Sequence, residues 1–162
     1  MSLVLTRIDS RLIHGQVLEA WVPHVQADCI VVANDAVAHT PLQCMIMQAA
    51  VPSSLKLVIG TVETVAARLA SGELAGRRVL LLFATSADAL QGSRLGIGFA
   101  KLNLGNMHTG AGKSRYSTTI ALDQEDIDNL RQVAAGGVAV AAQGVPADRE
   151  LELERMLRSG GA

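Results

Sequence analysis

Val79-Leu80-Leu81-Leu82-Phe83 is an unbroken apolar run. A strand with one wet face alternates apolar and polar residues, whereas a strand covered by helices on both faces need not. The run therefore reads as a strand of a parallel sheet held between two helical layers. Outward from it, short β-rich runs alternate with helical stretches along the whole chain. Strand candidates are 2–8, 28–33, 55–60, 78–84, 100–105 and 138–143; helical candidates are 15–25, 36–50, 62–72, 86–92, 123–135 and 148–158. This alternation predicts right-handed crossovers and a three-layer α/β/α architecture with a mainly parallel central sheet of about six to seven strands. Asp123, Glu125 and Asp126 sign the start of one helix, and Gly136-Gly137 its end. Pro23 falls inside the first helical candidate and should kink that helix or end it near Val22.

The chain has 162 residues, enough for one domain with a substantial core. No repeat, low-complexity segment or linker interrupts it, so residues 1–162 read as a single domain. Only 18% of the residues are charged, against a typical share of about 25%, which suits a sheet buried on both faces. A net charge of −1 and four aromatic residues provide neither the electrostatic footprint nor the stacking surface of a nucleic-acid binder. No apolar run approaches the roughly 18 residues that span a bilayer, and no signal peptide is visible at Met1-Ser2-Leu3-Val4. Cys29 and Cys44 lack metal or redox spacing and read as small buried hydrophobes in a reducing, cytoplasmic setting.

In an open parallel sheet, ligands sit beyond the carboxyl ends of the strands. The loops on that edge carry Asp9, Ser10, Arg11, His14, Asn34, Asp35, Thr85, Ser86, Asn103, Asn106, His108 and Lys113. Any α/β protein has polar loops there, so the list gains weight only from Arg7-Ile8-Asp9-Ser10-Arg11-Leu12-Ile13-His14-Gly15-Gln16-Val17. There a strand runs into a loop with cations and a histidine at the mouth of a helix beginning near Gly15. Helix-start N–H groups favour an anion, and arginine presents a fork of donors to phosphate. His14 fits a phosphoryl-accepting nucleophile, with one ring nitrogen free and the other held by a hydrogen bond. It fits equally a capping or half-buried structural histidine. Arg11 would neutralise the phosphoryl charge, and Gly15 lets a partner approach. Leu12, Ile13 and Met107 are candidates for apolar docking contacts around a shallow, exposed site.

Gly105-Asn106-Met107-His108-Thr109-Gly110-Ala111-Gly112-Lys113-Ser114 ends like a nucleotide-binding P-loop. Residue 107 is methionine where that motif needs glycine, and the residues that follow look extended where it needs a helix. A glycine-rich loop over the site is the better reading. His24, His39 and His108 have no metal-ligand spacing, and no metal or cofactor is expected. The tail Asp148–Arg158 reads as an amphipathic helix on the sheet.

Arg7–Val17, with the blocks at 30–38, 79–88, 101–114 and 121–130, resembles the IIB component of the mannose/sorbose family of the bacterial sugar phosphotransferase system. The similarity covers nearly the whole chain, and Arg11-Leu12-Ile13-His14-Gly15-Gln16-Val17 is its most specific part. The resemblance implies a protein-N(pi)-phosphohistidine–sugar phosphotransferase. In that role His14 takes a phosphoryl group from phosphohistidine on a separate IIA protein and passes it to a sugar carried by membrane IIC and IID components. It implies that Arg11 stabilises the transferring group and that Asp9, Asn34, Asp35, Thr85 and Ser86 surround it. Ser10 stands where the family commonly has aspartate, a change that bears on the pocket's charge. The implied setting is cytoplasmic, at the inner face of the membrane through IIC/IID, with a homodimer open. A regulatory phosphoprotein with the same His14 chemistry but no sugar transport is the second reading, and a non-catalytic ligand-binding domain the third.

Overall fold

The computed structural model describes residues 1–160. Among these residues nine strands form in chain order: β1 (Ser2–Asp9), β2 (Cys29–Ala33), β3 (Lys56–Gly60), β4 (Arg78–Phe83), β5 (Lys101–Asn106), β6 (Ser114–Arg115), β7 (Ala121–Leu122), β8 (Ala139–Ala142) and β9 (Leu151–Glu152). Seven of them make one sheet in the order β3-β2-β4-β1-β5-β8-β9, while β6 and β7 pair as a separate antiparallel ribbon. Every pairing in the large sheet is parallel except that of β9 with β8.

The Val79–Phe83 run behaves as its composition requires. Val79, Leu81 and Phe83 join one apolar cluster and Leu80 and Leu82 the other. All five are fully buried, each contributing about 1.5–3 kcal/mol of burial. On the first face lie α4 (Val62–Ser71), α5 (Ser86–Arg94), α6 (Gln124–Ala135) and α7 (Leu153–Ser159). On the second lie a π-helical turn (Gln16–Trp21), α1 (Val22–Val25), α2 (Asp35–Ala38) and α3 (Pro41–Ala50). The architecture is thus three layers around a mostly parallel seven-stranded sheet.

Three helical expectations need correction. The stretch 15–25 is not one α-helix: it begins with π bonding, marked by Val22 N–H donating to the Val17 carbonyl, and turns α-helical at Val22. Pro23 stands just past the point where the bonding changes from π to α, so the N–H it lacks falls at that junction. The helix stops at Gln26, in the left-handed region at φ 54°. The stretch 36–50 is broken at Thr40, which is extended (φ −118°, ψ 90°) because Pro41 disfavours helix in the residue before it. The tail predicted helical from 148 instead pairs Leu151–Glu152 with β8 as an edge strand, and only Leu153–Ser159 is helical.

The fold also fixes where a ligand belongs. The chain leaves β1 on the second face toward β2, and leaves β5 on the first face, through α6, toward β8. The two connections diverge between β1 and β5, so the crevice of the topological switch lies at their carboxyl ends.

Candidate functional site

β1 ends in Arg7-Ile8-Asp9, and both charged residues are fully buried. The pairing of β1 with β5 is offset there, with Ile8 opposite Leu104 and Asp9 opposite Asn106, leaving Gly105 as an extra residue. This bulge re-aims the end of β5 so that Asn106 meets Asp9. Asn106 Nδ2 donates to Asp9 Oδ2 at 3.0 Å and to Gln16 Oε1 at 3.2 Å.

Past Asp9 the chain turns sharply. Leu12 N–H donates to the Asp9 carbonyl at 2.9 Å, and Leu12 sits at φ 54°, a region disfavoured for leucine. Its side chain is only 3% exposed in the second-face cluster, and that burial holds the strained backbone. The turn brings His14 back over the strand end, where Nε2 lies 2.8 Å from Asp9 Oδ2. A carboxylate only accepts, so Nε2 carries a proton, and in the neutral ring Nδ1 is the nitrogen with the lone pair. Nδ1 is buried without a hydrogen-bond partner, the one such side-chain atom among the described residues.

Asp9 is the hub. Oδ1 accepts from the Arg11 amide at 2.9 Å, while Oδ2 accepts from His14, Asn106 and the Arg7 guanidinium, whose Nη2 is 3.0 Å away. Burial would raise the Asp9 carboxyl, but the hydrogen bonds from His14 and Asn106 and the Arg7 charge hold it below the usual carboxylate range. Arg7 further donates to Asn103 Oδ1 (2.6 Å) and the Gln143 carbonyl (3.0 Å) and lies 5.4 Å from the centre of the Trp21 ring. Burial pulls its guanidinium below the ordinary arginine value, against the opposing pull of Asp9.

The predicted residues divide accordingly. Asp9, His14 and Asn106 meet in one network. Arg11 joins it through its backbone, and its exposed side chain has no hydrogen bond among the described residues. Ser10 is a fastener: its hydroxyl donates to the Asn106 carbonyl (3.1 Å) and accepts from the amide of exposed His108 (3.1 Å), tying the glycine-rich loop to the His14 loop. Gly15 is exposed, and a Cβ there would meet nothing nearer than Glu19 Oε2 at 4.0 Å.

The other pocket candidates serve as helix caps or, for Ser86, as a buried tie to α6, not as partners of His14. Asn34 caps α2 and donates to Asp88 (2.8 Å); Asp35 accepts from the Val62 amide (3.0 Å); Thr85 forms a capping box with Asp88. Ser86 is buried and donates to Asp126 (2.7 Å), which also receives Lys113 (2.9 Å) from the glycine-rich loop. Two further expectations are corrected. The His14 side chain is 7% exposed and not open, and Leu12 and Met107 are core residues, leaving Ile13 half-buried at the surface. Sequence reading also passed over Arg7 and Gln16. A charged residue inside an otherwise apolar strand was the available signal for Arg7.

The description "PTS system sorbose subfamily IIB component" belongs to the family whose sequence model matches residues 3–161. This chain belongs to that family. The IIB component is 34% identical to the N-acetylgalactosamine-specific phosphotransferase enzyme IIB component 2 of Escherichia coli (strain K12), over 96% of this chain and 99% of that one. It is 30% identical to the sorbose-specific EIIB component of Klebsiella pneumoniae, over 94% and 93%. The crystal structure of the IIBSor domain of the Klebsiella pneumoniae sorbose permease superposes with a TM-score of 0.92 at 29% identity, covering 98% of this chain and 97% of that one. The protein is a phosphocarrier of sugar uptake, a sugar phosphotransferase of this system, and the regulatory reading draws no support from these relatives. No helix among the described residues is long and apolar enough to cross a membrane.

Proposed function

We propose that His14 Nδ1 is the phosphoryl acceptor of this IIB component and that Arg11 meets the oxygens of the group in transit. The donor is phosphohistidine on a separate IIA protein. As the bond from the donor nitrogen to phosphorus breaks, the bond from His14 Nδ1 to phosphorus forms in line, and the three equatorial oxygens keep their charge. In the second step a sugar hydroxyl oxygen bonds to phosphorus, its proton leaves to a base, and His14 recovers its lone pair. IIC and IID components present that sugar, which places the reaction at the cytoplasmic face of the membrane, with residues 1–162 acting as one unit.

The observation carrying this reading is the pairing of a held Nε2 with a partnerless Nδ1 on the same ring. Buried polar atoms are almost always satisfied, and a nucleophile is the exception that chemistry requires. Because Nδ1 is buried, a docking donor must first uncover it. The test is intact mass spectrometry after incubation with phosphoenolpyruvate, enzyme I, the histidine phosphocarrier and the IIA protein of the same genome. One acid-labile phosphoryl group should appear, and His14→Ala should lose it. Equal phosphorylation of His14→Ala would refute the assignment.

A further inference from the structure

The charge of Arg7 faces no substrate. Its guanidinium is fully buried between β1 and β5, and a Cβ at Gly105 would land on it, so only glycine at that position leaves it room. Four bonding partners surround it: Asp9, Asn103, the Gln143 carbonyl and, at 3.5 Å, Gln16. The Asp9 oxygen that Arg7 touches is the one that accepts His14 Nε2–H. An arginine so completely enclosed, with an acid as its only charged partner, has the form of a fixed counter-charge.

We infer that Arg7 is a positioning residue that balances the Asp9 carboxylate and thereby keeps His14 neutral, with Nδ1 bare and nucleophilic. This rests on the reading of His14 as the phosphoryl acceptor. A buried carboxylate alone beside an imidazole would favour imidazolium, placing a proton on Nδ1 and removing the lone pair that must attack phosphorus. With Arg7 on the same oxygen, the Asp9 charge is already compensated, and Asp9 only orients the ring and fixes its tautomer. The other charged or titratable groups around the ring are more exposed: Arg11 on its own loop, Glu19 beyond Gly15, and His108 on the facing loop. Lys113 is held away by Asp126.

Nitrogen-15 spectra of the His14 imidazole, recorded without any donor, report directly whether Nδ1 carries a proton. In the unaltered protein at neutral pH Nδ1 should be bare. In Arg7→Met it should be largely protonated, and the rate of phosphoryl acceptance should fall at least about tenfold at pH 7 and recover as pH rises, one pH unit for each tenfold. Arg7→Lys, which keeps the charge, should stay within about threefold of the parent rate. The double variant Arg7→Met/Asp9→Asn removes both charges and should restore the bare Nδ1, so the inference stays testable if Arg7→Met alone fails to fold. A folded Arg7→Met with bare Nδ1 and an unshifted pH profile overturns it, as does a double variant whose Nδ1 remains protonated. If His14 shows the Arg7-dependent spectra yet never takes a phosphoryl group, the acceptor assignment fails while the Arg7–Asp9–His14 coupling stands.

Discussion

Gly105→Ala is the smallest change that puts the buried network under load. The backbone at Gly105 is not among those at positive φ, so alanine brings no conformational penalty and by itself would slightly favour folding. Its methyl group, however, occupies the space of the Arg7 guanidinium. An exposed arginine would swing aside. Arg7 is 0% exposed, hemmed in by Asp9, Asn103, the Gln143 carbonyl and Trp21, so moving it breaks the pair at 3.0 Å and takes the guanidinium charge from Asp9. Breaking one side of a buried ion pair costs about 3–5 kcal/mol, a large part of the roughly 5–15 kcal/mol that holds a domain together. Urea denaturation should show a lower midpoint at unchanged slope. Gly110→Ala, in the glycine-rich loop with nothing within 4 Å of its Cβ position and no positive φ, is the control and should shift stability by less than about 0.5 kcal/mol. A loss below about 1 kcal/mol at Gly105 would refute the claim that the guanidinium is locked.

Arg11→Ala should leave stability unchanged, because the Arg11 amide still reaches Asp9, yet slow phosphoryl acceptance about ten- to a hundredfold, the worth of one charge-assisted hydrogen bond; equal rates in a quenched-flow assay would remove Arg11 from the reaction. Ser86→Ala strands Asp126 Oδ1 and Asn129 Nδ2 and should cost about 1–3 kcal/mol by thermal denaturation, without slowing transfer at His14. Stability should also fall in acid. The Asp9 and Asp126 carboxyls are pushed up by burial but held lower overall, Asp9 by His14, Asn106 and Arg7 and Asp126 by Lys113 and Ser86. A depressed acid stabilises above its unfolded value, about 4, and that contribution disappears as pH falls through the lower folded value. Asp88, raised by burial, works in the opposite sense and is relieved on protonation, so denaturation midpoints from pH 7 to pH 2 should fall overall, and Asp9→Asn should flatten the curve.

The layers were legible because burial on two faces leaves a compositional trace: the unbroken run Val79–Phe83, set among alternating β-rich and helical stretches, suits a covered strand. Helix ends signed by side chains were equally plain, as at Asp123, whose capping box with Asp126 forms as its spacing implies. The π-helical turn left no such trace, since π and α bonding share a sequence pattern over a single turn. The tail failed for another reason: Leu151–Glu152 has helical composition, and only the open edge of β8 makes it a strand. In the site, His14, Asp9 and Asn106 share the switch-point edge that parallel topology dictates. Asn34, Thr85 and Ser86 share the same edge but are consumed by helix capping (Asn34, Thr85) or a buried bond to Asp126 (Ser86), uses that sequence position alone does not separate from ligand binding.

Arg7 and Arg11 show how far environment outweighs residue type within one short motif. Both flank Asp9, and both bond to it. Arg7 lies on the strand, where the sheet and Gly105 enclose it, so its charge is fixed in place and committed to Asp9. Arg11 lies past the strand end, gives Asp9 only its amide, and keeps its guanidinium free in solvent. At this site the two charges serve different ends. The permanent one sits on the carboxylate that orients the imidazole, the part inferred for Arg7. A movable one must meet anionic oxygens that arrive and depart in each cycle, and an arginine already bound to Asp9 could do so only by abandoning it. Exchanging the two environments would therefore disable the site while leaving the charge count of the motif unchanged.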